Sequence, residues 1–486
     1  DDTITDTFGH DIIKGGDGND TITDNQGNNT IYGGSGNDTI TSNSLTSKAK
    51  FFGDDGDDKI NVSGQDVFLG GGNGNDSLIA NGKFKNATTG NQEVVQNGKA
   101  ILEGGDGKDY LYTRDMKSAN LSGGQGDDSL NSTNNQTSIL TGGQGNDNLS
   151  VSDGSGESGS THQLDGGSGN DNISTYTYGN VNISAGDGND SISAGSRNRY
   201  KASNANINTG TGNNSINAYQ LKSAKITTGD GDNSISTRDI KDTTDINTGI
   251  GNDTINAKGY GAASINASHG NNTINASSYS TAQIKAGDGN DIITISNIRD
   301  SISITTGNGS DTIVLTKQQL NDKAIEVTDF TAGEHGDILD LNDLLTNAAI
   351  DYDGSNPFGT GYFSLKQIGS DTHLILDGDG DKKNEAEQNA SIILKNTQAS
   401  SFTQHNFNPP FPPDGSETQG ETITGTAGKD QIEGTFGADL IQGLGGNDTI
   451  NGSAGSDEID GGAGDDTIDG SYGYDIIKGG DGNDTI

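Results

Sequence analysis

The chain has 486 residues, 77 of them glycine, and 69 acidic against 28 basic side chains give it a formal charge of −41. With 27% apolar residues, that average composition describes a chain with too little to bury, and so little basic surface excludes a binder that neutralises nucleic-acid phosphates. The absence of cysteine removes disulfides and thiolate metal sites and leaves hard oxygen donors, so the natural partner of so much carboxylate is a hard cation.

Glycine and aspartate recur at a fixed spacing, which a disordered acidic chain has no reason to keep. From Asp6 the sequence reads DTFGHDIIK, GGDGNDTIT, DNQGNNTIY and GGSGNDTIT, with Asp11, Asp20, Asn29 and Asp38 at place six of a nine-residue unit and isoleucine at place eight. Glycine at places one and four is expected to take positive φ and turn carbonyls inward, and the place-six carboxylate completes half of a calcium site. The place-eight residue starts a short strand. Two units predict one turn of a flattened coil, whose stacking pairs strands in parallel, buries the isoleucines and sets each aspartate over the next, so that two half-sites share an ion.

Beyond residue 41 the spacing loosens. Place six passes to Asp58, Asp76, Asp109, Asp128, Asp147 and Asp171, then to Asp190, Asn214, Asn233, Asp253, Asn272, Asp291 and Asp311. Only one glycine-aspartate turn per coil remains, so calcium is expected along one edge, while turns such as 258–262 close the other edge without metal. Asparagine and serine beside the isoleucines are expected to stack into ladders. Asparagine at place six keeps an oxygen but loses a charge, and those sites are expected to be weak or empty. The long interval from Asp76 to Asp109 predicts an inserted loop, or a coil without a glycine turn, over 82–99.

The repeat stops near Thr316. KQQLNDKA predicts a helical turn, and the alternating segments that follow predict strands around a small core of Phe330, Ile338, Leu339, Leu341, Leu344 and Leu345. Asp377, Asp379 and Asp381 open a loop like that of an EF-hand, but Gln388 holds its twelfth place and no glycine its sixth, so a plain β-turn stands beside the calcium reading. Asp337 and Asp340 are expected to cap the coil stack without metal. HNFNPPFPPDGSETQG, with four of the five prolines, reads as an extended linker. The nine-residue unit then returns, with Asp430, Asp439, Asp448, Asp457, Asp466, Asp475 and Asp484 at place six and isoleucine at every place eight from Ile432 to Ile486. The expected organisation is a roll over 1–41, a roll with irregular coils and a loop insertion over 42–150, and a solenoid with coils of about 19 residues over 151–316. A β-rich cap over 317–404, a linker over 405–420 and a second roll over 421–486 complete it.

The nine-residue unit resembles the GGxGxDxUx repeat of the RTX (repeats-in-toxin) family, and DFTAGEHGDILDLNDLL resembles that family's post-repeat cap domain, here internal. The resemblance implies an all-β protein, a parallel β-roll or β-solenoid with calcium in its turns that folds on binding the ion, exported by type I secretion from a Gram-negative bacterium to the cell surface or beyond. About twenty divalent ions would balance the net charge of −41. Residues 1–22 and 465–486 agree at seventeen of twenty-two positions, which favours a parent built from tandem copies.

Catalysis is not expected. The six histidines, His10, His162, His269, His335, His373 and His405, make no HExxH pair, and no GxSxG elbow is present. An ice-binding file of identical threonines is also missing, because the matching place holds residues as different as Gln144, Asp187 and Ile250. The function expected is a non-catalytic structural or adhesive module: an adhesin stalk, surface layer or filament subunit. Its partners are calcium, further copies of itself and cell-surface or matrix components, with neither nucleic acid nor membrane insertion. The alternative is the carrier region of a secreted toxin or enzyme whose active domain lies elsewhere.

Overall fold

The computed structural model describes the whole chain except residues 7–8, 26, 44–47, 86–91, 95–97, 154–158, 197–202, 320–324, 350–351, 353, 379, 381–387 and 417–418, with backbone alone at 84–85, 92–94 and 388–391. It forms two compact units, Asp1–Ser268 and His269–Ile486.

In the first unit every coil gives one strand to each of two parallel sheets. One sheet begins Thr3–Asp6, Thr21–Asp24, Thr39–Ser42 and Lys59–Ser63, and the other Ile12–Asp17, Thr30–Ser35 and Lys50–Asp55. The register is set by the isoleucines: Ile4 lies beside Ile22, Ile22 beside Ile40, and Ile40 beside Ile60. In the second sheet Ile207, Ile226, Ile246 and Ile265 align in the same way. Alternate residues point inward, and the spine residues Ile22, Leu69, Leu121, Leu149, Ile226 and Ile255 have no exposed surface. Each such side chain contributes about 1.5–3 kcal/mol of burial. Where an insertion was expected, Lys83–Lys85 pairs antiparallel with Gln92–Val94 as a hairpin that leaves the coil; the coil then resumes with Lys99–Asp106.

The second unit begins with the same coil, in which Thr281–Asp288 pairs with Ser301–Asn308 and Ile292–Ser296 with Thr312–Leu315. A cap then extends both sheets. Ile325–Val327 continues one and pairs with Gln388–Leu394, which carries the antiparallel strands Asp371–Asp377 and Phe363–Ile368. Ile338–Asp340 continues the other and pairs with Phe407–Asn408. Phe330, Leu339, Leu341, Leu344 and Leu345 are buried as expected, joined by Phe363, Phe402, Phe407 and Phe411; Ile338 is half-buried. NDLLTN forms the short α-helix Asn342–Asn347 where strands were expected, because Asp340 accepts both the backbone and side-chain N–H of Asn342 and bends the chain out of the sheet. KQQ forms a 3-10 turn at Lys317–Gln319. The proline-rich stretch is packed on the cap through Phe407 and Phe411.

A second roll follows. Thr422–Thr424, Leu440–Gln442, Glu458–Ala463 and Ile476–Asp481 make one sheet, and Gln431–Glu433, Thr449–Asn451 and Thr467–Asp469 the other. Between them lie Ile432, Ile441, Ile450, Ile459 and Ile468. The Gly354 backbone of the cap abuts Gly473 of this roll so closely that a Cβ on Gly354 would fall 2.6 Å from the Gly473 nitrogen.

Candidate metal centre

The glycine turns take positive φ at place four, as expected, but at place two instead of place one. Positive φ falls at places two and four: Gly143 and Gly145 have φ of 123° and 128°, while Gly142 at place one does not have a positive φ. The place-two conformation persists without glycine, at Asp54, Leu444 and Ser453 with φ of 75°, 72° and 72°. At these places it therefore does not depend on glycine. Place one is small for a different reason: a methyl carbon built on Gly104 would collide with both Asp109 Oδ2 and the Gly123 carbonyl of the next coil, so those two oxygens face one small space.

Place six forms a ladder within each unit. The Asp109 N–H donates to Asp128 Oδ1 at 2.8 Å, Asp128 N–H to Asp147 Oδ1 at 2.8 Å, and Asp147 N–H to Asp171 Oδ1 at 2.7 Å. The second roll repeats it, with Asp439 N–H on Asp457 Oδ1 and Asp448 N–H on Asp466 Oδ1, each at 2.8 Å. One carboxylate oxygen is thus used by the backbone. The other, Oδ2, is buried with no hydrogen-bond partner at Asp20, Asp38, Asp58, Asp76, Asp109, Asp128, Asp147, Asp171, Asp190, Asp291, Asp311, Asp448, Asp457 and Asp466. Burial drives seven of these carboxyls furthest up, and neighbouring carboxylates push the same way: Asp58, Asp128 and Asp311 rise to about 7, and Asp76, Asp109, Asp171 and Asp457 to about 6.

A second ladder, which the sequence reading missed, runs through place five and points the other way. Asn37 N–H donates back to Asn19 Oδ1, Asn75 N–H to Asp57 Oδ1, and Asn189 N–H to Asn170 Oδ1, each at 2.7 Å. The recurring Asn or Asp just before place six was its signal. The cap ends the place-six ladder as expected, because Asp311 N–H donates to Asp337 Oδ1, and Asp337 Oδ2 is used by Thr331 N–H and the Thr306 hydroxyl. Asp329, not foreseen, accepts Thr306 and Gly307 N–H at the same end.

The remaining predicted positions differ among themselves. Asp11 accepts no place-six ladder bond among those described, and donates its N–H to Asn29 Oδ1; the Asn29 amide donates to Asp6 and Asp24 carboxylates at 2.9 Å each. Asp430 and Asp439 turn their carboxylates to the hydroxyls of Thr426 and Thr435 in their own turns. Asp475 and Asp484 accept the N–H of Asp457 and Asp466. Asp377 ends a strand, its N–H on the Tyr362 carbonyl, while Asp379 and Asp381 lie outside the described residues.

Among the described residues no point gathers three or more acidic or histidine side chains. A cation here would be held by single carboxylate oxygens together with main-chain carbonyls, an all-oxygen donor set that suits calcium. The lone buried Oδ2 atoms fit such an ion: each is an uncompensated anion until a cation arrives.

The model of the RTX calcium-binding nonapeptide repeat matches in four copies, at residues 1–23, 15–44, 424–459 and 460–486. These two stretches, 1–44 and 424–486, carry RTX-type repeats. The repeats are of the calcium-binding class, and the solenoid between the matched segments carries the same turn in a longer coil. A comparison with curated proteins gives no match. No helix among the described residues is long and apolar enough to cross a membrane.

One buried polar group elsewhere in the chain has the residue types of a hydrolase. Asp153 accepts the Ser160 hydroxyl at 2.7 Å and lies 3.2 Å from His162 Nε2. The order is wrong for nucleophile activation, since the aspartate stands between serine and histidine, and His162 is fully buried.

Proposed function

We propose that this chain is a calcium-dependent, non-catalytic structural module of a secreted RTX protein, serving outside the cell as a stalk, surface layer or filament element. The row of buried, unpartnered Oδ2 atoms supports this reading, because it gives the fold a cation requirement spread along its length and concentrated at no single reaction centre. Calcium would be held by Asp20, Asp38, Asp58, Asp76, Asp109, Asp128, Asp147, Asp171, Asp190, Asp291, Asp311, Asp448, Asp457 and Asp466, with Asp475 and Asp484 continuing the second roll. When bound it supplies positive charge that neutralises the stacked carboxylates. Asp109 Oδ2 and the Gly123 carbonyl define one side of such a site, and Asp128 Oδ1 holds the backbone of the coil before it.

Secretion as an unfolded chain is what the RTX resemblance implies, and the same chemistry would serve it: low calcium inside a cell would keep carboxylates apart, and high calcium outside would close the coils. The test is a calcium titration of the purified chain followed by circular dichroism, metal analysis and negative-stain microscopy. Cooperative gain of β-structure with many ions bound supports the module, and elongation into filaments or layers at saturation supports the structural role. Equal folding in excess chelator would remove the calcium assignment. A folded chain that stays monomeric favours a carrier role.

A further inference from the structure

Three consecutive turns of the first unit are built differently. At 209–214, 228–233 and 248–253, threonine replaces glycine or alanine at place one, and place two, held by Gly210, Gly229 and Gly249, does not have positive φ. The backbone instead bonds straight across, with Gly210 N–H on the Gly186 carbonyl at 2.7 Å and Gly229 N–H on the Gly210 carbonyl at 3.2 Å.

Side chains close the space that is left. Asn214 accepts the Asp190 N–H through Oδ1, as an aspartate would, but its Nδ2 donates to the Gly212 carbonyl at 2.9 Å and to the Thr209 hydroxyl at 3.1 Å. Asn233 does the same, donating to the Gly231 carbonyl at 2.7 Å and to Asp253 Oδ1 at 3.0 Å. An amide nitrogen therefore stands where the other coils have a bare Oδ2, and it consumes a main-chain carbonyl that faces the turn. A group that offers two N–H donors repels a cation. The two asparagine turns, 209–214 and 228–233, do not fit the ion, whereas the third keeps a carboxylate in Asp253.

The core beneath them is unchanged: Ile207, Ile226, Ile235 and Ile246 have no exposed surface. We infer that residues 204–247 form a metal-independent segment of the solenoid, folded without calcium, whose ends template the calcium-dependent coils. The inference rests on the calcium reading of the aspartate turns. Its physical basis is that a stacked repeat is stabilised by its own coil and its neighbours; coils with no uncompensated carboxylate lose nothing when the ion is absent, and a preformed edge spares the next coil its nucleation cost. Thr306 shows that threonine at place one is not sufficient alone, since Asp329 holds that turn and Gly307 keeps φ of 106°.

Hydrogen exchange on the full chain, read by mass spectrometry in calcium and in excess chelator, tests this. In chelator the amides of Asn204–Asn208, Ser215–Tyr219, Ser223–Thr227 and Ser234–Ile240 should stay protected, exchanging at least about 100-fold more slowly than those of Ser118–Gln125 and Thr137–Gln144. If all these strands exchange equally fast in chelator, the metal-independent segment is refuted while the calcium reading stands; if all stay equally protected, the calcium reading fails and takes the inference with it. A quadruple variant, Thr209→Gly, Asn214→Asp, Thr228→Gly and Asn233→Asp, should bind at least one more ion and lose its protection in chelator. Retained protection with no extra ion would overturn the assignment of the effect to these turns.

Discussion

The coils from Lys99 to Asp171 and those from Asn204 to Asn247 share one spine and differ in one edge. Leu121, Leu130 and Leu140 in the first, and Ile207, Ile226 and Ile235 in the second, are all fully buried in the same register. At the turn, the first set ends in a carboxylate oxygen with no partner, and the second in an amide that has found several. The spine decides that the chain coils; the turn decides on what terms. A chain with 27% apolar residues can thus be a well-packed protein in one ionic medium and an acidic polymer in another.

Removing calcium should break this comparison most widely. In excess chelator at neutral pH the β-signal from the aspartate coils should collapse, leaving a residual ellipticity from the asparagine coils. Far-ultraviolet circular dichroism with limited proteolysis should recover a fragment that contains 204–247. A transition that removes all of the signal at once would show that the two sets are one cooperative unit.

Acid should partly reverse the loss, and the sign is informative. Without metal, the folded carboxyls of Asp58, Asp76, Asp109, Asp128 and Asp171 stand at about 6 to 7, above their ordinary 3.8, because burial penalises the charged form. A group raised on folding contributes stability below its unfolded value and loses it as pH climbs through the folded one. The metal-free coils should therefore be most stable near pH 4 and weaken between about pH 4 and 7. With calcium bound the carboxylates are held ionised, so stability should fall as pH drops. Thermal melts across this range, with and without chelator, should have opposite slopes.

Shortening the spine should separate the two sets by medium. Leu130→Ala and Ile226→Ala each remove a fully buried branched side chain and should cost about 2–5 kcal/mol. The Ile226 loss should appear with or without calcium, and the Leu130 loss only with it, when its coil is folded. Denaturant melts of both variants in both media check the pattern.

Much of this was legible in the sequence. The fixed interval between Asp and Ile announced the coil, the parallel register and the buried spine, since a side-chain period of two leaves no other face for Ile22, Ile40 and Ile60. The turn was less legible. Glycine at places one and four suggested where φ would be positive; place four keeps it, yet place two takes it even at Leu444, while Gly142 is small because a carboxylate and a carbonyl lie against it. Asn214 and Asn233 were expected to make weak or empty sites for want of a charge, but that their amides also donate into the turn depends on the backbone of Gly210 and Gly229, which no local pattern fixes. The cap helix at Asn342–Asn347 was missed because it is set by Asp340, a contact outside the alternation of apolar residues.

The smallest change should convert one kind of turn towards the other. Asp128→Asn keeps the oxygen that accepts Asp109 N–H and replaces the unpartnered Oδ2 by a donor. In Asn214 such a donor reaches the carbonyl two residues back, and in this turn that carbonyl belongs to Gly126. The variant should bind fewer calcium ions, because a cation and an amide N–H compete for the same oxygen, and its metal-free form should gain about 1 kcal/mol from a buried carboxylate exchanged for a hydrogen-bonded amide. The two effects oppose each other: melting temperature should rise in chelator and fall in calcium. A change of the same sign in both media would mean that Asp128 acts through packing alone, and an unchanged ion count would mean that it is not a ligand.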